Sequence, residues 1–280
     1  MHFFDNIYAQ GGDSVEDSFS SYIRGEQILL KYAKGVGALR GKEFHEYHEL
    51  ILFIDGDVDF YSDEMHVKLV PDQLIIIPKE KYHQFVINGN ENNYVRCVFS
   101  FYETPEIREL LDGAFYNVRV IEASEYALIL VNKVIELSQS ELSSQQKNVL
   151  LRAMLIVLIS EISCEMPHRK SLEKTARSPL LMKCIDYINH NLFGDISIKK
   201  LAKQLNVSQS TISHTFKKEM NISPYRYILQ KRLINAQTRI ANGESATAVA
   251  FECGFSDYSG FYKQYKKAFG VVPSGNKISF

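Results

Sequence analysis

The sequence predicts an α+β chain of two domains, a β-barrel followed by an all-α domain, with a helical segment between them. Three observations predict it. Short apolar runs separated by turn residues fill roughly the first 120 positions. A three- and four-residue apolar period takes over from about Ser124. A nine-residue pattern then appears twice in the last hundred or so residues.

The barrel is expected over 1–122. Glu49–Ile54, Gln73–Ile77 and Tyr94–Phe99 read as strands, bounded by turn signals at Asp55-Gly56-Asp57, Val70-Pro71-Asp72 and Asn88-Gly89-Asn90. Many short strands at this spacing favour a barrel or sandwich over alternating strand–helix units. The helical segment is expected over 123–165. Ala127, Leu130, Val131, Val134, Ile135 and Leu137 give a first helix. After a break at Ser143-Ser144, Leu150, Leu151, Met154, Leu155, Leu158 and Ile162 give a second. The second is apolar over much of its circumference, more than one domain face needs, so a homodimer contact is expected there. Residues 166–177, polar and basic around Pro167, form a linker, and Ser178-Pro179 opens the helical domain, 178–280.

Charge is unevenly divided. Residues 178–280 hold 14 Lys and Arg against 6 Asp and Glu, whereas 1–177 hold 18 against 27. A basic domain fits a polyanion partner, and an acidic one does not. Met1–Gln10 has neither a basic start nor an apolar run, so no secretory signal is expected. The apolar stretch Val149–Ser160 carries Arg152 and is too short for a bilayer core of about 30 Å. Cys97, Cys164, Cys184 and Cys253 lack metal-ligand spacing and suit reduced thiols in a cytoplasm.

The repeat carries the chemistry. Phe216-Lys217-Lys218-Glu219-Met220-Asn221-Ile222-Ser223-Pro224 returns as Tyr265-Lys266-Lys267-Ala268-Phe269-Gly270-Val271-Val272-Pro273. Upstream, Leu201-Ala202 and Leu205-Asn206-Val207 return as Val249-Ala250 and Cys253-Gly254-Phe255. Ala202 and Ala250 allow two helices to cross closely. Asn206 and Gly254 can take the left-handed turn, and Val207 and Phe255 plug the corner. Ser208 and Ser256 are expected to cap the second helix of each pair. Ile212 and Phe216, or Phe261 and Tyr265, face the core. Between the copies, a helix from Pro224 to about Asn242-Gly243 is a rod of about 25 Å. Such a rod can set two helices against successive major grooves, about 34 Å apart.

Residues 180–275 resemble the DNA-binding domain of AraC/XylS-type regulators. The resemblance lies in Val249-Ala250 with Gly254-Phe255, in Phe261, in Tyr265-Lys266-Lys267 with Gly270 and Pro273, and in Tyr227, Arg232 and Ala236. Gly260 replaces the usual aromatic before Phe261, and Asn276-Lys277 replaces the usual Tyr-Arg pair. The resemblance implies two helix-turn-helix motifs that bind double-stranded DNA. By position, Ser208, Ser210, Thr211, Ser213, His214, Lys217 and Lys218 would contact DNA from the first copy. Tyr258, Ser259, Tyr262, Lys263, Lys266 and Lys267 would contact it from the second. The lysines suit phosphates, the others base edges and DNA shape.

Glu43, His45 and Glu49, then Gly56, then Pro78 through His83 resemble a cupin barrel, the usual sensor of that family. This implies a small effector, with a sugar or related metabolite the favoured class, bound by Glu43, His45, Tyr47, Glu49, Tyr61 and His83. Tyr22, Phe53, Tyr82 and Phe85 are further aromatic candidates. Glu43, His45, Glu49 and His83 are also the donors a divalent metal would use. No metal, cofactor or enzyme activity is expected. RNA polymerase is a further candidate partner for an activator, and a membrane is not. Two rival readings stand beside this one. The chain could be a metal-dependent cupin enzyme fused to a DNA-binding domain, or a ligand-independent regulator whose barrel only dimerises.

Overall fold

A computed structural model describes residues 19–24, 27–35, 45–90, 93–111, 115–165 and 177–273. The chain divides into two compact units, Met1–Thr175 and Ala176–Phe280. The first holds antiparallel sheets with helices; the second is helical.

In the first unit β1 (Phe19–Arg24), β2 (Ile28–Lys34), β3 (His48–Asp55), β6 (Gln73–Ile77), β8 (Val95–Phe101) and β9 (Arg119–Glu122) form a six-stranded sheet ordered β1-β2-β8-β3-β6-β9. A second sheet, β5-β4-β7, uses β4 (Val58–Ser62), β5 (His66–Lys68) and β7 (His83–Ile87). Strand alternation sorts side chains between two cores. Ile51, Phe53, Ile75, Ile77, Tyr94 and Val98 point between the sheets and meet Val58, Phe60 and Phe85 of the smaller one. Leu50, Leu52, Leu74, Ile76, Cys97, Phe99 and Phe101 point the other way, toward helices. The central strands β3, β6 and β8 are therefore buried on both faces, which is why they read as continuous apolar runs rather than alternating ones.

Those helices are α1 (Pro105–Leu110), α2 (Glu125–Gln139) and α3 (Ser144–Glu165). Thr104 and Ser124 cap the first two by accepting from the backbone N–H of Ile107 and Ala127. Ser143 and Gln146 open α3 as a reciprocal pair: the Ser143 hydroxyl accepts from Gln146 N–H, and Gln146 Oε1 accepts from Ser143 N–H. Leu151, Leu155, Leu158, Ile159 and Ile162 bury one side of α3 against the large sheet. Val149, Leu150, Ile156 and Val157 stay exposed on it.

The second unit contains α4 (Pro179–Asn191), α5 (Ile198–Gln204), α6 (Gln209–Met220), α7 (Pro224–Ala241), α8 (Ala246–Glu252) and α9 (Tyr258–Phe269). Ser178 caps α4 and Ser223 caps α7, each with proline at the first turn. Of the expected linker, 166–176 lie outside the described residues. Arg177, expected to belong to it, is instead buried and donates to the Glu219 backbone carbonyl, while the Glu219 carboxylate accepts from the N–H and hydroxyl of Ser178. The chain is thus already docked onto the end of α6 at Arg177. No helix among the described residues is long and apolar enough to cross a membrane.

Candidate functional site

The helix pairs α5–α6 and α8–α9 share one backbone pattern at the start of the turn. Asn206 (φ 52°) and Gly254 (φ 83°) are both left-handed. The next residue donates back across each turn, Val207 N–H to the Ala202 carbonyl at 3.1 Å and Phe255 N–H to the Ala250 carbonyl at 3.0 Å. Each second helix ends on another left-handed residue, Asn221 (φ 54°) and Gly270 (φ 71°). Ala202 and Ala250 are buried, as are Ile212, Phe216, Phe261 and Tyr265.

The expected cap of α9 is corrected. Ser208 caps α6, accepting from Thr211 N–H at 3.0 Å, but α9 is capped by Asp257, which accepts from Gly260 N–H at 2.6 Å. The cause is one inserted residue. The copies keep step from Ala202 and Ala250 to Val207 and Phe255, then the second runs one residue longer, so that Ile212 answers to Phe261 and Pro224 to Pro273. Ser256 is the residue spliced into the turn.

Ser208, Ser210, Thr211, Ser213, His214, Lys217 and Lys218 are all exposed around α6, and Ser259, Lys263, Lys266 and Lys267 around α9. Tyr258 and Tyr262 are half-buried, and Tyr258 leans on the apolar cluster of α7–α9 with its ring 5.9 Å from that of Phe261. Lys217 is turned to its own helix end, where Nζ donates to Asn221 Oδ1 at 2.9 Å. Arg232, missed as a positioning residue in the sequence, reaches three carbonyls: Nε to Leu192, Nη1 to Gly254 and Nη2 to Gly194, at 2.6–2.7 Å. It ties the second turn to the loop before α5. Its place between Tyr227 and Ala236 in the motif was the available signal.

In the first unit the structure gathers three of the expected barrel residues. Glu49 points inward from β3, His83 opens β7, and His45 precedes β3. One ligand atom from each lies within 4.8 Å of the others, and all three residues are buried. His45 Nε2 is 3.0 Å and His83 Nε2 3.6 Å from the same oxygen, Glu49 Oε2, while the Ser100 hydroxyl donates to Oε1 at 3.0 Å. His45 Nδ1 donates to the Tyr47 carbonyl at 2.7 Å, and His83 Nδ1 faces the Lys81 carbonyl at 3.3 Å. Carbonyls only accept, so each ring is held with Nε2 toward the carboxylate. Burial pushes the Glu49 carboxyl up, but His45, His83 and Ser100 outweigh it and hold it at about 2. Burial and the neighbouring His45 push His83 down to about 4.

Tyr47 joins them, its ring stacked on His45 at 4.0 Å. Tyr61 does not. It alternates with Phe60, which faces between the sheets, so Tyr61 lies on the other face of β4 and stacks on His66 at 4.2 Å. The alternation of β4 therefore turns Tyr61 away from the interior where it was expected. Phe53 and Phe85 belong to the inter-sheet core, and Tyr82 is buried with its hydroxyl donating to Gln84. Glu43 and the Tyr22 side chain lie outside the described residues.

The family model of a helix-turn-helix domain matches residues 201–275, a span that runs from within α5 to beyond α9. The probable transcriptional regulator LumQ of Photobacterium leiognathi is 27% identical over 82% of this chain and 89% of its own length. These matches support an AraC/XylS-type transcription regulator. The activator RhaS of Pectobacterium atrosepticum is 30% identical to this regulator over 32% of each chain. A crystal structure of an AraC-type regulator from Chromobacterium violaceum is 25% identical, covering 34% of this chain and 86% of that one, with a TM-score of 0.32.

Proposed function

We propose that the regulator reads double-stranded DNA with both helix pairs, each a helix-turn-helix motif. Control comes from a small effector bound between the sheets, which form a cupin-like barrel. The carrying observation is the duplicated turn: two second helices, set by the same left-handed residue and the same backbone bond, each expose polar side chains over a buried apolar face. The two faces differ, with hydroxyls and His214 on α6 against Tyr262 and Lys263 on α9. One protomer therefore reads an asymmetric site. Few of these side chains can make a bidentate contact to guanine, so readout leans on hydroxyls, water and DNA shape.

Substitution separates the roles. Lys266→Ala should weaken binding to all sequences alike and lower the slope of log affinity against log salt by about 1. His214→Ala should change base preference at one position and leave that slope alone. Gel-shift titrations on selected and random duplexes at several salt concentrations read both. Equal, sequence-independent losses from the two variants would remove base readout from α6.

A sugar or related metabolite is the effector class the family resemblance favours, and His45, Glu49, His83 and Ser100 supply polar groups for it. The same cluster supports a second reading, a divalent metal. The two imidazole nitrogens lie 3.0 and 3.6 Å from one carboxylate oxygen, and a ligand atom from each residue lies within 4.8 Å of the others, a donor set that suits one ion with ligands about 2.1 Å away. The backbone carbonyls on Nδ1 supply the outer support such ligands use. A metal there would act as a Lewis acid or a structural tie. Metal analysis of purified protein decides it, since content far below one ion per chain removes the reading and the enzyme with it. The names of the relatives favour a regulator. We further propose that the regulator acts in the cytoplasm as a homodimer formed through α3, with RNA polymerase as a partner if it activates.

A further inference from the structure

Among the described residues Arg96 is the largest side chain buried completely, 0% exposed. It stands on β8 in phase with Tyr94 and Val98, which face between the sheets, and out of phase with Cys97 and Phe99, which face the helices. Across the ladder its neighbours are Ala33 on β2 and Phe53 on β3. Nη1 donates to the Gly35 carbonyl at 2.6 Å, and the Tyr94 ring lies 4.2 Å from Cζ. Nε and Nη2 have no hydrogen-bond partner and are closed to solvent.

Those two atoms define a ligand class. Nε–H and the N–H of Nη2 beside it lie on one edge of the guanidinium and point the same way, at the spacing of two carboxylate oxygens. The third nitrogen is already spent on Gly35. A guanidinium offers donors and no acceptor, so the empty fork calls for an acceptor group. A buried charge with its best edge unmet works against folding, and such groups persist where function uses them. Lys31, also buried, faces the same way from β2, opposite Val98.

We infer that Arg96 anchors the effector, and that the effector is an organic carboxylate with an apolar body, its two oxygens on Nε and Nη2. The inference rests on the sensing role proposed for this unit. Phe53, Tyr94 and Val98 face the same interior from β3 and β8 with apolar surface, which suits a hydrocarbon or aromatic body. A neutral sugar leaves the charge of the fork unmet.

Thermal unfolding of the full chain with acetate, benzoate, octanoate and oleate tests this, beside benzamide, octanamide, inorganic phosphate and neutral sugars. At least one carboxylate should raise the melting temperature with concentration while its amide does not. Arg96→Met should keep or raise the melting temperature without ligand and weaken that carboxylate at least tenfold. If Arg96→Met fails to fold, Arg96→Lys, which keeps the charge but not the fork, should weaken it by the same factor. No shift with any carboxylate, a shift matched by the amide, or a shift unchanged in the variants overturns the inference. So does a shift with phosphate alone. A shift with a sugar alone also overturns it, yet leaves a barrel that senses an effector.

Discussion

Arg232 and Arg96 show what a single guanidinium does when it is satisfied and when it is not. Arg232 has a carbonyl on each nitrogen, one of them the Gly254 carbonyl. A Cβ added at Gly254 would come within 2.8 Å of Arg232 Cζ and 2.9 Å of the Phe193 carbonyl, at a φ of +83° that side chains resist. Gly254→Ala should therefore cost about 3 kcal/mol, from the left-handed strain and the displaced charge-assisted bonds. Asn206→Gly, at the matching turn with φ 52°, should stay within about 0.5 kcal/mol. Denaturant unfolding followed by helical circular dichroism compares them, and equal effects would mean the clamp does not set the turn. In the other unit, Glu103 accepts from Lys79 Nζ at 2.8 Å and His48 Nε2 at 3.0 Å. Burial pushes its carboxyl up, but Lys79 and His48 outweigh that and hold it at about 2, against 4.5 in the unfolded chain. A depressed carboxyl stabilises above the unfolded value and loses this as pH falls through the folded one. The gap in melting temperature between wild type and Glu103→Gln should therefore be wide at pH 6, begin to narrow below about 4.5 and close only below about 2. A gap that does not change would remove the ion pair from the stability of this unit.

At the scale of elements, what the sequence made legible was set by burial and by repetition. β3, β6 and β8 were visible because helices cover one face and the second sheet the other, leaving unbroken apolar runs. β4 alternates, β7 is half-buried beyond His83, β5 is three residues long with none fully buried, and Lys31 interrupts β2, so none gave a run to see. The helix pairs were visible because each element appears twice. The single inserted residue was not, because Ser256 keeps the register of Ser208 up to the point where the copies part. In the buried polar cluster of the first unit, His45, Glu49 and His83 were named from motif spacing. Ser100, 51 residues beyond Glu49, and Arg96 meet the interior only through strand pairing, which no local pattern reveals. The cap gives a direct check. Asp257→Ala should destabilise α9 by about 1 kcal/mol, whereas Ser256→Ala should change stability by less than about 0.5 kcal/mol. Thermal unfolding of the two variants ranks them, and the reverse order would return the cap to Ser256.

On the scale of the whole molecule, the chain separates charge by task. The basic unit carries the proposed DNA-facing helices, and the acidic one carries the buried cluster of His45, Glu49 and His83. The acidic unit also presents apolar surface that its own fold leaves uncovered. Along α3, Gln145, Gln146, Val149, Leu150, Ala153, Ile156 and Val157 are all exposed and all uncharged, with Val149 63% and Val157 49% open to solvent. A stripe of this kind fits a second copy of itself, because a two-fold interface places like residues on like, and uncharged residues do not repel. Joining two protomers would also link two DNA-reading units, so that binding by one raises the effective concentration of the other at a neighbouring site. Sedimentation of the full chain should show a dimer at micromolar concentration. Val157→Asp should shift it toward monomer, since two carboxylates would then have to be buried together. Because Val157 is half exposed in the protomer, the same change should leave helical content intact and sharpen the dependence of DNA affinity on protein concentration. A wild-type monomer at that concentration would leave α3 without a partner and make each protomer bind DNA alone.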